Sequence, residues 1–261
     1  MGDARYLPEH VTLIVGGHGK TARHLTKLLT ASHHHPHIVY SIIRDPAQIP
    51  DLEAIGARPI VQDLVSSSLD DFRKIFEQIR PDNVVWAASN PRAPVDVDRD
   101  GAIKIMDALA QAEISSRRYI VISAADIRDR ENKPVPDWYS DADVKLSDRM
   151  WGVIGPALKA KFEADRDLVT QNERRKLKYT IVRPGGLTED DTEDRLRAGK
   201  VGLTGMISRV NLAKTLRAVM ENSHAEGLAF DVHGPGDNAL PIVDAVQRVA
   251  DRREDTFEGY Y

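Results

Sequence analysis

Two patterns of apolar and polar positions alternate along the first half of the chain, one typical of strands and one typical of helices. Residues 11–15 form a β-branched run that ends at two glycines, which predicts a buried strand. In the next segment, 20–30, leucines recur at three- and four-residue spacing, which predicts an amphipathic helix. The alternation continues, with strands predicted over 38–43, 59–61, 83–87 and 119–122 and helices predicted over 52–57, 69–79 and 101–112.

The second half of the chain is less regular. A stretch over 128–150, rich in Asp, Pro and charge, predicts a long loop or a partly ordered insertion. After it the pattern predicts helices over 156–171, 208–221 and 241–251 and strands over 179–182 and 229–232.

Strands that alternate with helices through short connections predict parallel strands joined by right-handed crossovers. We therefore expect an α/β protein with a doubly wound parallel sheet, a Rossmann-like fold, in which ligands bind beyond the carboxyl ends of the strands. Residues 1–261 are expected to form a single domain, with a small C-terminal substrate lobe formed mainly by parts of 185–261.

Composition narrows the classes of function. The chain has 261 residues, 41% of them hydrophobic, and a formal net charge of −4, whereas a nucleic-acid or acidic-membrane binder is expected to be basic. The absence of cysteine excludes disulfides, thiolate metal sites and a cysteine nucleophile. No apolar run approaches the ~18 residues of a membrane span, and the N-terminus lacks a signal-peptide pattern. We expect a cytoplasmic monomer or homodimer that binds a small molecule.

Four histidines, at positions 33, 34, 35 and 37, form the one biased patch of the sequence. Neighbouring side chains in a loop rarely converge on one ion, and no carboxylate lies beside them. We interpret the patch as a solvated loop and expect no metal site.

The glycine loop after the first strand allows two phosphate-binding interpretations. A P-loop requires a glycine five residues before the Gly-Lys-Thr that begins at Gly19, but that position is Ile14. A dinucleotide-binding turn fits better, because Gly16 permits the tight turn, Gly19 lets the backbone approach a pyrophosphate, and Ala22 allows close packing of helix on strand. The helix beginning near Lys20 would direct its N-terminus at the phosphates.

The end of the second strand distinguishes NADP from NAD. A carboxylate there would bind the ribose hydroxyls of NAD, whereas a guanidinium fits a 2′-phosphate. Arg44 stands at this position and Asp45 follows it. We favour NADP over NAD; the alternative is that Arg44 is solvated and Asp45 turns inward.

Together these segments resemble the atypical short-chain dehydrogenase/reductase superfamily, in its NAD(P)-binding, NmrA-like branch. The resemblance extends from the first strand to the sixth and depends on the order and spacing of several short motifs. They are GGHGKTA at 16–22, IRDP at 43–46, QDL at 62–64, AAS at 87–89, VDRDGAI at 97–103, YIVIS at 119–123, KFEAD at 161–165 and YTIVRPG at 179–185.

The resemblance implies a role for each matching position. The pyrophosphate would lie against the glycine loop, namely Gly16, Gly17, His18, Gly19, Lys20 and Thr21. The adenosine half would be bound by Arg44 at the 2′-phosphate, by Asp63 and Leu64 beside the adenine, and by Ala87 and Ala88 under the ribose. The nicotinamide half would be bound by Lys161 at the ribose and by Pro184 and Gly185 at the carboxamide, with Ser123 as the active-site serine.

One departure from the family pattern concerns the proton donor. Catalytic members carry a tyrosine four residues before the lysine, but that position here is Ala157, and no Tyr-x-x-x-Lys exists in the chain. Ser123 and Lys161 therefore remain without the usual acid. Lys161 also has a simpler interpretation, a surface ion pair with Asp165 one helical turn later.

Several explanations stay open at this point. Tyr139 could reach the site from the long loop, or the substrate, water, Asp126 or Asp143 could supply the proton. The chain could instead bind the dinucleotide without hydride transfer, as a regulator or scaffold. The last alternative is a non-redox isomerase or cyclase on the same fold. The first expectation is an NADP-dependent oxidoreductase acting on a small carbonyl or alcohol.

Overall fold

A computed structural model describes residues 10–32, 37–190 and 193–261 of the chain. His33, His34 and His35 lie outside the described residues, so their interpretation as a solvated loop stays a prediction. His37 begins the second strand, where its Nδ1 lies 2.9 Å from Oγ1 of Thr12.

Six parallel strands form the centre of one sheet and confirm the expected doubly wound architecture. They are β1 (His10–Val15), β2 (His37–Ile43), β3 (Ala57–Val61), β4 (Asn83–Trp86), β5 (Arg118–Ile122) and β6 (Lys178–Pro184). Their order in the sheet is β3-β2-β1-β4-β5-β6, so the strand order reverses between β1 and β4. The carboxyl ends of these two strands open a crevice at the reversal, where ligands bind in this fold.

The C-terminal part of the chain extends the sheet and adds antiparallel strands. The additional strands are β7 (Gly186–Thr188), β8 (Arg195–Gly199), β9 (Met206–Ser208), β10 (Leu228–His233) and β11 (Leu240–Pro241). Strand β10 pairs parallel to β6, and β8 joins it in the antiparallel direction, followed by β11. Strands β7 and β9 form a separate two-stranded sheet. Of these strands only β10 was predicted. Strands β7, β9 and β11 have two or three residues each, too few to show a period, and β8 (RLRAG) lacks an apolar run.

Helices cover both faces of the sheet. They are α1 (Lys20–Thr30), α2 (Ile49–Glu53), α3 (Leu69–Ile79), α4 (Ala102–Gln111), α5 (Asp141–Thr170), α6 (Asn172–Arg175), α7 (Arg209–Met220) and α8 (Ile242–Arg252). On one face Leu25 of α1 and Leu216 of α7 share a buried core with α8. On the other face Phe76 of α3 and Leu168 of α5 share a core with α4. No helix in the described ranges is long and apolar enough to cross a membrane.

Helix α5 differs from the prediction at its start. The stretch 128–150 was expected to be a long loop or a partly ordered insertion, but the helix begins at Asp141, where Ser140 and Asp143 form a reciprocal capping box. The helix bends at Ile154, whose φ and ψ are −121° and 21°, two residues before Pro156. Proline lacks the N–H for the helical ladder and clashes with the preceding turn, which explains the bend.

Helix α2 lies earlier in the chain than predicted. Its expected range was 52–57, but it covers Ile49–Glu53 because Pro50 suits the first turn of a helix. Gly56 follows with a positive φ of 82°, a conformation that ends the helix and leads into β3.

Candidate functional site

Two cavities adjoin at the carboxyl ends of the central strands and share lining residues, so together they form one cleft. The first has a volume of about 340 Å³, and we call its outer end the lining that it does not share with the second, including Arg44, Asp63, Leu64 and Val97. The second has a volume of about 360 Å³, and its own unshared lining includes Ser123, Lys161, Pro184 and Gly185. The residues common to both cavities are Gly19, Ala87, Ala88 and Ser89. Both volumes fall within the range of about 300–1,000 Å³ that is usual for ligand sites.

The glycine turn shapes the middle of the cleft. Gly16 has a positive φ of 81°, and a Cβ on it would lie 2.6 Å from Cα of Ala88. Gly19 caps α1 without a side-chain hydrogen bond, and no acidic residue lies in the first turn of that helix. The first N–H groups of α1 therefore carry a partial positive charge toward the cleft, which fits an anion such as a pyrophosphate.

Gly17 has a different environment from its neighbours in the turn. It lines neither cavity among the described residues. A Cβ on Gly17 would lie 2.4 Å from Cβ of Ser41 on β2. Gly17 therefore packs closely between the turn and the sheet, whereas Thr21 lines the second cavity.

Two basic side chains of the turn have carboxylate partners. Nε2 of His18 lies 3.0 Å from Oδ2 of Asp51. Nζ of Lys20 lies 2.8 Å from Oε1 of Glu189, which also accepts a hydrogen bond of 2.8 Å from Nη1 of Arg209. Lys20 and Arg209 both line the second cavity, so Glu189 bridges two cations at its rim.

The outer end of the first cavity presents a cation and two engaged carboxylates. Arg44 lines the cavity and is exposed. Oδ1 of Asp45 accepts a hydrogen bond of 2.9 Å from the N–H of Ala47, which caps a short 3₁₀ turn. Backbone N–H groups of residues 65 and 66 hold the pKa of Asp63 below its usual value, with a smaller contribution from Arg44. Of these three residues, Arg44 is the one that offers hydrogen-bond donors to a ligand.

Lys161 reaches the second cavity from α5 and is held there by a carboxylate. Its Nζ lies 2.9 Å from Oδ1 of Asp98, in a wide helical turn, Val95–Gly101, before α4. The same carboxylate accepts hydrogen bonds from Oγ of Ser89 at 2.7 Å and from N–H of Asn90 at 2.8 Å. The surface ion pair considered for Lys161 and Asp165 is therefore not formed.

Asp165 instead accepts a short hydrogen bond from the hydroxyl of Ser123. Its side chain is buried, and burial raises its pKa to about 6. Sequence reasoning missed both acids of the site, Asp98 and Asp165, as functional candidates. The available signal was spacing, since Asp165 follows Lys161 by one helical turn and so shares its face.

Tyr139, the candidate acid from the loop, is not among the residues that line the two cavities. Its ring lies edge-on to Trp138, with centroids 5.9 Å apart, and its N–H donates to the carbonyl of Pro136. Burial raises its pKa above the ordinary value. In this conformation Tyr139 packs against Trp138 and does not line the cleft.

The other candidate acids are engaged elsewhere. Asp126 lies 2.9 Å from Nε of Arg128 and accepts a hydrogen bond of 3.0 Å from Nε1 of Trp151. Asp143 caps α5 and accepts a hydrogen bond of 2.7 Å from the N–H of Leu203. Neither lines the cleft among the described residues.

A buried histidine supports the segment after β6. Gly185 lines the second cavity, and a Cβ on it would lie 2.4 Å from Nδ1 of His233. Burial lowers the pKa of His233 to about 4. The neutral ring therefore packs directly under Gly185 and fixes the position of its backbone.

Comparison with known proteins agrees with this geometry. The sequence model of the NAD(P)H-binding family matches residues 16–223, most of the chain. The protein belongs to the NAD(P)H-binding family. Its members are atypical short-chain dehydrogenase-like or epimerase-like Rossmann proteins, so the chain is an NAD(P)-binding, oxidoreductase-like protein.

Relatives within this family cover nearly the whole chain. UPF0659 protein C216.03 of Schizosaccharomyces pombe is 34% identical over 241 residues, covering 90% of this chain and 93% of the relative. An uncharacterized sugar epimerase, YhfK, of Bacillus subtilis is 30% identical over 242 residues, covering 90% and 98%.

Solved structures show the same fold at lower identity. The oxidoreductase ylbE of Lactococcus lactis superposes with a TM-score of 0.73 at 20% identity, covering 92% of this chain and 97% of the other. A short-chain dehydrogenase/reductase of Veillonella parvula in complex with NADP superposes with a TM-score of 0.64 at 17% identity, covering 87% and 95%.

Proposed function

We propose that the protein is an NADP(H)-dependent oxidoreductase that interconverts a small carbonyl compound and its alcohol. The observation that carries the proposal is the convergence of Ser123 and Lys161 on the half of the cleft that ends at Gly185. A hydroxyl and an ammonium group at this place suit the polarisation of a carbonyl oxygen.

The preference for NADP is supported by the outer end of the first cavity. Arg44 lies at the carboxyl end of β2, where a 2′-phosphate would lie in this fold. The carboxylate of Asp45 is engaged as a cap by the N–H of Ala47, which disfavours its use on the ribose hydroxyls of NAD. The NADP complex of a structural relative is in keeping with this choice.

The residues of this chain have separate tasks in the proposal. The bound dinucleotide supplies the hydride. Lys161 would bind the ribose next to the nicotinamide, and Asp98 would keep its ammonium group in place. Ser123 would bind the oxygen of the substrate, and the Pro184–Gly185 backbone would orient the nicotinamide carboxamide.

The C-terminal lobe is the proposed source of substrate selectivity. Leu187 on β7 and Arg209 at the start of α7 both line the second cavity. They are the lining residues that come from the part of the chain after Gly185. Variation there would change the shape and charge of the substrate end without altering the glycine turn.

Two other functions have specific support. A relative carries the name of a sugar epimerase, which favours reversible oxidation of a sugar without net consumption of the dinucleotide. Ala157 at the usual tyrosine position favours a regulator that binds NADP without turnover.

The three functions are separated by one set of measurements. Titration with NADPH and with NADH, followed by nicotinamide fluorescence, is expected to show tighter binding of NADPH. A panel of small aldehydes, ketones and nucleotide sugars is then mixed with NADPH, with absorbance and proton NMR as readouts. The reductase is supported if NADPH absorbance falls with the unaltered protein and stays constant with Lys161→Met. Epimerised sugar without loss of absorbance supports the epimerase, and binding without either change supports the regulator.

A further inference from the structure

The missing tyrosine leaves the proposed reductase without a proton donor, and one buried acid stands directly behind the site. Asp165 lies one helical turn after Lys161 on α5. Its Oδ2 accepts the hydrogen bond from Oγ of Ser123, and Ser123 lines the second cavity. The serine hydroxyl therefore lies between the acid and the space where a substrate oxygen would lie.

The surroundings of Asp165 are mostly apolar. Together with Trp86 and Met106 it lines a small cavity behind the cleft. Only 3% of the residue is exposed. Burial disfavours the charged carboxylate and raises its pKa to about 6, so that it holds a proton much closer to neutral pH than an exposed aspartate does.

Charged and titratable groups from the neighbouring elements act on Asp165 in both directions. The hydrogen bond from Ser123 and the cations Lys161 and Arg183 stabilise its carboxylate and so limit the rise of its pKa. The groups that face it are Lys161 from α5, Arg183 from β6, Tyr119 from β5, Ser123 directly after β5, and Asp98 from the turn before α4. Lys161 and Arg183 thus stabilise the carboxylate that remains on Asp165 after proton transfer.

We propose that Asp165 is the proton source of the site and that Ser123 transfers the proton to the substrate oxygen. The inference rests on the proposed reductase function. A hydroxyl can accept a hydrogen bond while it donates one, so protonated Asp165 donates to Oγ of Ser123 and Ser123 donates to the substrate. Ser123 is the catalytic residue in this scheme, and Asp165 acts through it.

The step balances in protons and charge. The O–H bond of Asp165 breaks as a new O–H bond forms on Oγ of Ser123. The original hydroxyl O–H of Ser123 breaks as the substrate oxygen gains its proton. The carbonyl carbon gains the hydride from the dinucleotide, so the carbonyl is reduced to an alcohol. Asp165 is left as a carboxylate beside Lys161 and Arg183 and is reprotonated from water before the next cycle.

The protonation state of Asp165 is tested first on the protein alone. Infrared spectra are recorded from pH 4 to 8 for the unaltered protein and for Asp165→Asn. The difference between the two sets isolates the carboxyl band of Asp165. The subtraction is needed because the pKa of buried Asp231 is also raised to about 6. The expected band titrates with a midpoint near 6. Ser123→Ala is expected to move the midpoint to higher pH, because the hydroxyl no longer stabilises the carboxylate.

Glu163→Gln is the matched control for this titration. Glu163 lies on the same helix and pairs with Arg99, away from the cleft. Its replacement is expected to leave the band of Asp165 unchanged. A band that titrates below pH 5, or one that Ser123→Ala does not shift, would overturn the proposal.

A second readout connects the acid to catalysis. With diacetyl as the carbonyl probe, Asp165→Asn is expected to lower the rate of NADPH oxidation by about 100-fold or more and to remove the loss of rate above pH 6. An unchanged rate and pH profile would overturn the relay. NADPH binding is measured on the same variant, so intact binding separates failure of the relay from failure of the cofactor assignment. If none of the carbonyl compounds tested makes the unaltered protein oxidise NADPH, the reductase function itself fails. The relay, which rests on that function, then fails as well.

Discussion

The ammonium group of Lys161 lies 2.9 Å from the carboxylate of Asp98. Asp98 is almost fully buried, with 1% of the residue exposed, and it also accepts hydrogen bonds from Ser89 and Asn90 after β4. One carboxylate thus positions both the cation of the proposed active site and the wall of the cleft. Its removal should therefore affect binding and folding together.

Asp98→Asn tests this double role. The amide keeps hydrogen-bonding capacity but leaves the partly buried ammonium group of Lys161 without its opposite charge. We expect the free energy of unfolding to fall by about 1 to 3 kcal/mol, measured by urea denaturation, and NADPH affinity to fall as well. Asp96→Asn is the control, because Asp96 is exposed in the same turn. Equal effects of the two substitutions would contradict the role of Asp98.

Arg44→Ala tests the choice of dinucleotide. If the guanidinium binds the 2′-phosphate, its loss should weaken NADPH binding by about 10- to 100-fold, the value of one or two charge-assisted hydrogen bonds. NADH binding should change by less than about twofold, since NADH has no 2′-phosphate. Fluorescence titration measures both constants. Arg58→Ala, an exposed cation that lies over the ring of Tyr40, is the control. Equal losses for the two dinucleotides would contradict the assignment.

Gly16→Ala tests the glycine turn. The positive φ of Gly16 and the 2.6 Å approach to Ala88 leave no room for a methyl group. We expect a loss of about 1 to 3 kcal/mol in stability and a loss of NADPH binding. Gly152→Ala is the contrasting variant, because nothing lies within 4 Å of its position in α5. It should raise stability by about 0.5 to 1 kcal/mol and leave binding intact.

Glu189→Gln tests the bridge at the rim of the second cavity. Its carboxylate neutralises Lys20 and Arg209, so the amide should increase the positive potential toward the bound phosphates. We expect NADPH affinity to rise by about two- to fivefold at low salt and the gain to shrink as salt is added. Asp194→Asn, which removes the exposed pair with Lys214, should leave affinity unchanged. A decrease in affinity for Glu189→Gln would contradict the prediction.

His233→Asn tests the buried imidazole under Gly185. The unfolded state takes up a proton near pH 6.5, whereas the folded state does so only near pH 4, because the pKa of His233 is lowered by burial. Its contribution to stability is therefore complete above pH 6.5 and is lost as the pH falls toward 4. Over that window the free energy of unfolding of the unaltered protein should fall by up to about 3 kcal/mol more than that of His233→Asn. Denaturation at several pH values measures the loss, and exposed His224→Asn is the control. Parallel stability curves for the unaltered protein and His233→Asn would contradict it.

The six central strands could be predicted from the sequence because each contains a short apolar run and alternates along the chain with a helical pattern. The parts that were missed depend on contacts distant along the chain. Strand β8 lacks a run of apolar residues and is held by pairing with β10. The first half of α5 is polar on most sides, so its helical period does not appear, and its capping box was the one local signal.

The sequence predicted those parts of the candidate site whose positions are set by the path of the backbone. Gly16 and Arg44 directly follow β1 and β2 and Gly19 caps α1, and the fold alone brings these positions together. The partners of Lys161 and Ser123 were not predictable, because Asp98 meets Lys161 across 63 positions of sequence and Asp165 meets Ser123 across 42. Such pairs become visible only when the helix is packed on the sheet.

The bend at Ile154 divides α5 into two parts with different neighbours. In the part before it, Asp143 accepts a hydrogen bond from the backbone N–H of Leu203, in the C-terminal part of the chain. The part after it carries Lys161 and Asp165 against the central sheet. If the proposed function holds, exchanging the first part between homologues, together with the C-terminal segment it contacts, should change substrate selectivity and leave Lys161 and Asp165 in place. This segment of α5 is therefore a suitable unit to exchange when selectivity evolves or is engineered.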